Sequence, residues 1–590
     1  MKKIFITLAV ILGIFTADSF AAASKTSGTS QQVKKTMPFT KGLNLAVWLE
    51  ANYTPDGRVA ALSDSNRLRF GKQDFEDIKT LGVEIVRIPV HFQAFSSGSP
   101  DYIVNDWIWD ALDKAVEWCT ELKMYMIIDY HNNCQGSSKT SPDIEKILLK
   151  IWPQVAQRYK DSGEYVLYEI HNEPHMRSGN IENDVAKWAK IQGNVLKAIR
   201  ETDKTHTVIV GAENWNSVTE LLKLPDYKDQ NIIYNFHDYS PMLFTHQGTV
   251  WTDYKCVKGV PFPYVKEKMP EIPNEAPDWV KQEIKNYPED SKEANLVKPL
   301  DEAVKLANKR GVALMCNEWG VSQTYADKNE RTSWYKLKAK WMDERNIIRV
   351  SWGYREPIGI FNNSSLKQYE ARFPEDLNKE LLEAMGFNLP GKTAHHPSWI
   401  DSAKKKNDFT IYKNGFAENI LCDNSWLEDD SDSELKSMIY KRDSADEPYY
   451  IYLKKAKAYN HLDIDFCGDC DFTALFGSGK SLEFEIRSNQ KDLAMDLYFM
   501  QQEVNGAGKA GLPWRAQTSL KKNSVPADGK WHKVSIPLKD FYETGAYSNA
   551  QQKWYNGEGL FSWKKVHNLV FDFGEKGLQK DVSIREIVIR

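Results

Sequence analysis

The chain of 590 residues is poor in cysteine, in net charge and in long apolar runs, and each shortage removes a class of protein. Seven cysteines are too few for a disulfide scaffold in a chain this long. The one CxxC, Cys467-Gly-Asp-Cys470, has neither the second thiol pair of a zinc site nor a thioredoxin-like setting, so it reads as a local disulfide or two free thiols. Cys316 lies in an apolar run and reads as a buried thiol. Lys and Arg number 77 against 81 Asp and Glu, and the resulting formal charge of −4 gives no reason to expect a nucleic-acid or anionic-membrane partner. Beyond the N-terminus no apolar run approaches the roughly 20 residues of a membrane span. Internal repeats and low-complexity tracts are also missing.

What is present is a globular composition, 42% hydrophobic and 27% charged, with length enough for one large barrel and a smaller module. Aromatic residues reach 12%, with 19 Trp. Indole faces fill cores, but they also stack on flat ligand faces, and composition does not choose between the two.

The N-terminus has the parts of a secretory signal: Met1-Lys2-Lys3, an apolar run from Ile4 to Phe15, then Ala21, Ala22 and Ala23. Residues 1–23 are therefore expected to be a cleaved signal peptide and 24–36 a polar tether. No Cys lies near the cleavage site, which argues against a lipoprotein anchor. The mature protein is expected to be secreted (extracellular, periplasmic or at the cell surface), monomeric and without a membrane span.

From Leu43 onward, short apolar runs alternate with helical patterns. The runs are 43–48, 84–89, 124–130, 165–170, 207–211, 232–236, 312–316 and 348–352; they are rich in β-branched and aromatic residues, as strands buried on both faces should be. Helical periodicity falls at 72–81, 106–122, 143–159, 183–202, 217–222, 299–310, 331–345 and 378–385. Eight strands each followed by a helix predict an α/β chain folded as a (β/α)₈ TIM barrel over residues 37–395. The largest insertion, 238–295, carries seven prolines with Trp251, Tyr254, Phe262 and Tyr264, and follows a strand, which puts it on the barrel's working face. Residues 396–407 read as a linker. Beyond them β runs dominate, at 449–453, 481–487, 494–500, 531–536, 568–573 and 583–589, and predict a β-sandwich over 408–590.

A barrel's working residues follow the carboxyl ends of its strands. There the sequence places Arg87, Asp129-Tyr-His131, Asn172-Glu173-Pro174, His237-Asp-Tyr239, Asn317-Glu318-Trp319 and Ser351-Trp352. Glycosidic cleavage needs two carboxyl groups across a cleft, one protonated to assist the leaving oxygen and one ionised to attack the anomeric carbon. Glu173 and Glu318 are the candidates. Arg87 is placed to keep Glu318 ionised, Tyr239 to hydrogen-bond it, Asn172 to meet a sugar 2-hydroxyl, and Trp352 to lie under the reacting ring. Several neighbouring residues also have a plainer explanation. His131 and His237, taken singly, read as satisfied core histidines. Glu169 lies inside its strand and reads as structural, Trp215 and Trp319 as packing, and the helical Trp as core. His171 and His175 have metal-like spacing but straddle a strand end and Pro174, so no metal site is expected.

The set resembles glycoside hydrolase family 5, the cellulase family of retaining (β/α)₈ hydrolases. The resemblance is carried by Gly42-Leu-Asn-Leu-Ala-Val-Trp48-Leu-Glu50, Val86-Arg87-Ile-Pro, Asp129-Tyr-His131-Asn, Tyr168-Glu-Ile-His-Asn172-Glu173-Pro174, His237-Asp-Tyr239, Asn317-Glu318-Trp319-Gly and Trp352. It implies that Arg87, His131, Asn172, Glu173, His237, Tyr239, Glu318 and Trp352 form the active site, with Glu173 as acid/base and Glu318 as nucleophile. Trp48, Glu50, Trp251 and Trp352 are expected to bind substrate. The C-terminal region resembles galactose-binding-like, jelly-roll carbohydrate-binding modules through Asp528-Gly-Lys-Trp531-His-Lys-Val-Ser-Ile-Pro537 and Asn568-Leu-Val-Phe-Asp-Phe573, with Trp426, Tyr498, Trp514 and Trp554 as ligand candidates. The expectation is a retaining endo-β-1,4-glucanase acting on cellulose or a related β-glucan. The alternatives are a mannanase, xyloglucanase or mixed-linkage glucanase of the same mechanism and, more remotely, a non-catalytic glycan-binding protein. The chemistry calls for no cofactor.

Overall fold

The computed structural model describes residues 36–50, 52–53, 59–60, 70–131, 139–271, 274–362, 373–391, 407–413, 422–423, 425–429, 432–436, 439–444, 447–504, 506–548 and 551–590. The expected signal peptide, all but the last residue of the expected tether, and most of the expected linker lie outside the described residues.

Eight parallel strands close into a barrel: β1 (Lys41–Asn44), β2 (Ile85–Val90), β3 (Tyr125–Tyr130), β4 (Val166–Glu169), β5 (Thr207–Gly211), β6 (Ile232–His237), β7 (Ala313–Glu318) and β8 (Ile348–Ser351). Each pairs with its sequence neighbour, and β1 closes the ring by pairing with both β2 and β8. The outer layer is α1 (Lys72–Thr80), α2 (Asp106–Glu121), α3 (Ile144–Tyr159), α4 (Ile181–Thr202), α5 (Val218–Leu221), α6 (Asp278–Asp290), α7 (Glu293–Arg310), α8 (Lys328–Asp343) and α9 (Lys379–Ala384). Local chemistry sets their ends. The Asn180 side chain accepts from the Asn183 N–H and the Asp327 side chain from those of Asn329 and Glu330, while Gly311 ends α7 in the left-handed conformation a C-terminal cap favours.

Two helices differ from expectation. Helix α7 starts at Glu293 and runs through Pro299. The proline forfeits one backbone bond, but Leu296, Leu300, Ala303, Val304 and Ala307 bury one continuous face, which outweighs the loss. The insertion is not a bare loop, since α6 occupies part of it and buries Val280, Ile284 and Tyr287.

Inside the barrel the period-2 alternation of strands builds layers. The lower layer is apolar, comprising Ile85, Ile127, Leu167, Ile209, Ile233, Met315 and Ile348, with Phe39 packed in the same cluster. Two residues further along most of these strands, on the same face, the side chains turn polar: Arg87, Asp129, Glu169, Asn235 and Asn317, joined by Asn44 from β1. This second layer is the floor of the mouth.

The C-terminal region holds two antiparallel sheets. One runs in the order Ile439–Lys441, Tyr450–Leu453, Val582–Ile589, Ser481–Ser488, His532–Pro537, with Phe409–Tyr412 also on Val582–Ile589. The other has seven strands: Cys422–Asp423, His461–Cys470, Val566–Asp572, Met495–Met500, Arg515–Leu520, Tyr542–Ser548 and Lys553–Asn556. Rings from the two sheets meet edge to face, as at Phe484 and Phe571, 5.3 Å apart. The strand His461–Cys470 was not expected, although Leu462, Ile464 and Phe466 alternate with Asp463 and Asp465 in the required period. Cys470 is a free, buried thiol. Among the described residues, no helix is long and apolar enough to cross a membrane.

Candidate active site

Arg87 organises the mouth. It is fully buried on β2, and an ionised group there is tolerable only if its donors are matched. Nε and Nη2 donate to the two oxygens of Glu169 (2.7 and 3.0 Å). Nη1 donates to Asn44 Oδ1 (2.9 Å) and Glu318 Oε1 (2.8 Å). Nη2 also donates to Asn172 Oδ1 (2.7 Å) and pairs with Asp129 Oδ2 (2.8 Å). One planar guanidinium thus fixes five groups carried by four strands or their ends, a geometry only Arg supplies.

Glu318, at the end of β7, accepts from Arg87 through Oε1 and from the Tyr239 hydroxyl through Oε2 (3.1 Å). Glu173, just past β4, is instead bonded to His237 Nδ1 (2.7 Å), and His237 Nε2 meets Asn317 Oδ1 (2.9 Å). One carboxylate oxygen of Glu173, one of Glu318 and a ring nitrogen of His237 all lie within 4.8 Å of one another. This is the one described cluster whose donors could hold a metal ion, but both nitrogens of His237 are already engaged, so an ion would have to displace the bond to Glu173.

The electrostatics differ between the two carboxyls. Burial pushes Glu173 up to about 8, against the pull of Arg87 and with a further push from Glu169. Burial raises Glu318 only to about 7, because His237 and Arg87 oppose it. The first proton therefore leaves Glu318, and Glu173 keeps its own longer. Burial also raises Asp129, to about 7, and lowers His237 and His131 from the usual histidine range. With a single guanidinium among four buried or partly buried carboxyl groups, protons are retained where the cation's influence is weakest.

The remaining support residues converge on the same mouth. His131 bonds Asp129 through Nδ1 (2.6 Å) and stacks on Trp352, with ring centroids 5.5 Å apart at 17°. Trp352 is partly exposed just past β8. Glu50 lies 3.8 Å from ring nitrogens of both His91 and His131 and accepts from the Val47 N–H, so it stands at the rim. Trp251 is 58% exposed on the insertion, free to meet a ligand. The insertion's first turn is tied to the site, with Thr245 Oγ1 donating to the Tyr239 carbonyl (2.7 Å) and Trp334 Nε1 to that of Ser240 (3.1 Å).

Trp48 corrects the sequence reading. Its indole is 2% exposed and packed edge-on against Phe70 and Phe75, so it belongs to the core and offers no platform. Trp215 moves the other way, from expected packing to 41% exposure. It sits in a run of three left-handed residues, Asn214, Trp215 and Asn216, a conformation that costs non-glycine residues energy and often marks functional loops. That turn is bound to the loop that carries Glu173: Trp215 N donates to the Pro174 carbonyl (3.1 Å), Met176 N to Glu213 Oε1 (2.7 Å), and the indole stacks on His175 (4.9 Å). His171 is buried against Tyr130 and Trp188, and neither of its ring nitrogens has a hydrogen-bond partner. Glu169, read as structural, lies at the centre of the Arg87 network. The polar second layer was the signal that could have found it.

On the seven-stranded sheet the register aligns His461, Asp463 and Asp465 with Asp572, Val570 and Asn568, then with Asp496, Tyr498 and Met500, and onward to Gln517 and Arg515. Trp426 (45% exposed) bridges to His461 at one end, and Trp554 (37% exposed) lies at the other, with the Arg515 guanidinium 4.5 Å from the ring centroids of both Tyr498 and Trp554. Of the expected ligand residues here, Trp514 is fully buried and Tyr498 is 7% exposed, so both correct the sequence reading. Trp426 and Trp554 remain accessible.

An eight-stranded parallel barrel with two carboxyl groups facing one another across its carboxyl-end mouth belongs to the architecture of barrel hydrolases. Residues 62–356 match the family model described as cellulase (glycosyl hydrolase family 5), and the chain belongs to that family. Residues 458–590 match the model of carbohydrate binding domain 30. Among curated relatives, Endoglucanase 3 of Fibrobacter succinogenes is 28% identical over 59% of this chain and 54% of its own length. Endoglucanase C of Acetivibrio thermocellus is 29% identical over 54% of this chain and 92% of its own. The chain thus spans about half the length of the first relative. A solved structure of Thermotoga maritima Cel5A in complex with cellobiose matches 59% of this chain and 97% of that one, at 24% identity and a TM-score of 0.47.

Proposed function

We propose that the protein is a secreted, retaining endo-β-1,4-glucanase. The observation that carries this reading is the pairing of Glu173 and Glu318, with oxygens within 4.8 Å and unlike partners. Retaining cleavage needs carboxyl groups about 5–5.5 Å apart, whereas an inverting enzyme needs room for a water and about 6.5–9.5 Å. Glu318, held by Arg87 and Tyr239, attacks the anomeric carbon, while Glu173 protonates the leaving oxygen and then activates the water that frees the sugar. Asn172 gives its Oδ1 to Arg87, so its amide N–H is the group left for a sugar 2-hydroxyl. Trp352, resting on His131, underlies the reacting ring, and Trp215 and Trp251 flank the polymer. The relatives' names support the β-glucan choice.

The sandwich, in this reading, is a galactose-binding-like jelly roll that lays a glucan along the seven-stranded sheet between Trp426 and Trp554, with the Asp and Arg row meeting hydroxyls. The charged N-terminus and apolar run of residues 1–23 support export of a monomeric mature chain. The decisive experiment resolves product sizes on a panel of β-glucans and β-mannans, together with labelling by a 2-fluoro glycoside. Mixed cello-oligosaccharides and a label on Glu318 are expected. An inverted first product, or turnover confined to mannan, would sink the proposal.

A further inference from the structure

The bond from His237 to Glu173 has two further links behind it. Asn317 Nδ2 donates to Glu169 Oε2 (2.7 Å), an oxygen that already accepts from Arg87 Nε (2.7 Å). A carboxylate held this way presents only acceptors, so the Asn317 amide cannot turn over without facing oxygen to oxygen. Its Oδ1 is therefore fixed toward His237 Nε2 at 2.9 Å and requires a proton there. A neutral imidazole carries one ring proton, and placing it on Nε2 leaves a lone pair on Nδ1, 2.7 Å from Glu173 Oε1. That contact is a hydrogen bond only if Glu173 carries the proton.

We propose that Glu169 and Asn317 are positioning residues that set the tautomer of His237 and thereby keep the Glu173 carboxyl protonated and aimed. Glu169 touches no reacting atom and acts through the amide of Asn317. This rests on the reading of Glu173 as the acid of a glycosidase. The alternative arrangement places the proton on both ring nitrogens, leaves Glu173 an anion, and removes the acid. Burial, with the Arg87 charge, opposes it and outweighs the pull of Glu318 and Glu169 toward the imidazolium. The charged and titratable groups around the pair are Arg87 from β2, Asp129 and His131 from β3, Glu169 from β4, Tyr239 after β6 and Glu318 from β7. Removing the charge of Glu169 takes away an anion that raises Glu173, so the acid should lose its proton at lower pH.

The test uses the full chain in two ways. In ¹⁵N-histidine-labelled protein at about pH 6, with the His237 signals assigned by their loss in His237→Gln, the ring should show a protonated Nε2 and a bare Nδ1. A proton on Nδ1, alone or with Nε2, overturns the proposal, and this arm needs no further variant. In kinetics, Glu169→Gln and Asn317→Ala are compared on two aryl cellobiosides, one with a poor leaving group that needs protonation and one with a dinitrophenolate that does not. For both variants the loss in kcat/KM should be about tenfold or more greater on the poor leaving group. For Glu169→Gln the alkaline limb of the pH profile should also move to lower pH. Equal losses on both substrates with an unmoved limb would show that these residues only brace the fold, and would overturn the proposal. Failure of the parent reading looks different, because the unmodified protein would then turn over neither glycoside.

Discussion

The barrel mouth and the seven-stranded sheet both set polar and aromatic side chains along β-strands, and Asp463, Asp465 and Asn568 on the sheet are as buried as the mouth carboxyls, yet the two regions differ in what they leave open. At the mouth the carboxyl groups are buried or nearly so, and each is held by another side chain, converging on one fully buried Arg87. On the sheet the polar row lies between two indoles that remain open to solvent, Trp426 and Trp554. Chemistry on a bond needs protonation states fixed in advance, which demands burial and full pairing. Holding a polymer needs accessible flat faces, and exposed indoles supply them. The difference separates a region that must be rigid from one that must be reachable.

The largest expected effect is at Glu318, the proposed nucleophile. Glu318→Ala should lower kcat on the order of 10⁴-fold or more on soluble glucan while leaving retention on insoluble glucan intact, measured by reducing-sugar release and a pull-down. Equal loss of both would merge the two regions into one site. Next is Arg87→Lys, which leaves Glu169, Asn172 and Glu318 short of donors. It should cost about 3–5 kcal/mol in denaturant unfolding and most of the activity, and a stability change within error would mean the network is slack. The pH profile comes third. Below about 7 Glu318 takes up a proton and can no longer attack, and above about 8 Glu173 loses the proton it must donate. A narrow bell in kcat/KM between those limits is expected, and a flat profile over that span contradicts the division of roles. The smallest effect belongs to the sheet. Trp554→Ala should weaken binding to insoluble glucan by about tenfold with kcat on soluble substrate unchanged. A drop in kcat would place that indole in the catalytic path.

Much of the mouth was legible in the sequence because strand ends expose their chemistry in a fixed register. Arg87, His131, Glu173, His237, Tyr239, Glu318 and Trp352 all come together as the barrel topology requires. The indoles were less legible. Trp48 and Trp215 each follow a strand, and only the packing of Phe70 and Phe75 around one and the left-handed turn beneath the other separate a core ring from an open one. Glu169 reads as structural from its place inside a strand, and the structure specifies that role as the anion beside Arg87, above the apolar layer. In the sandwich, the strand His461–Cys470 was hidden by its aspartates, which mark a polar face of a strand as readily as they mark a loop.

The single guanidinium of Arg87 has a consequence for how this mouth can change over time. Because Asn44, Asp129, Glu169, Asn172 and Glu318 all draw on it, the effect of altering one depends on the state of the others. Substitutions there should combine non-additively, so the effect of a second change is set by the first.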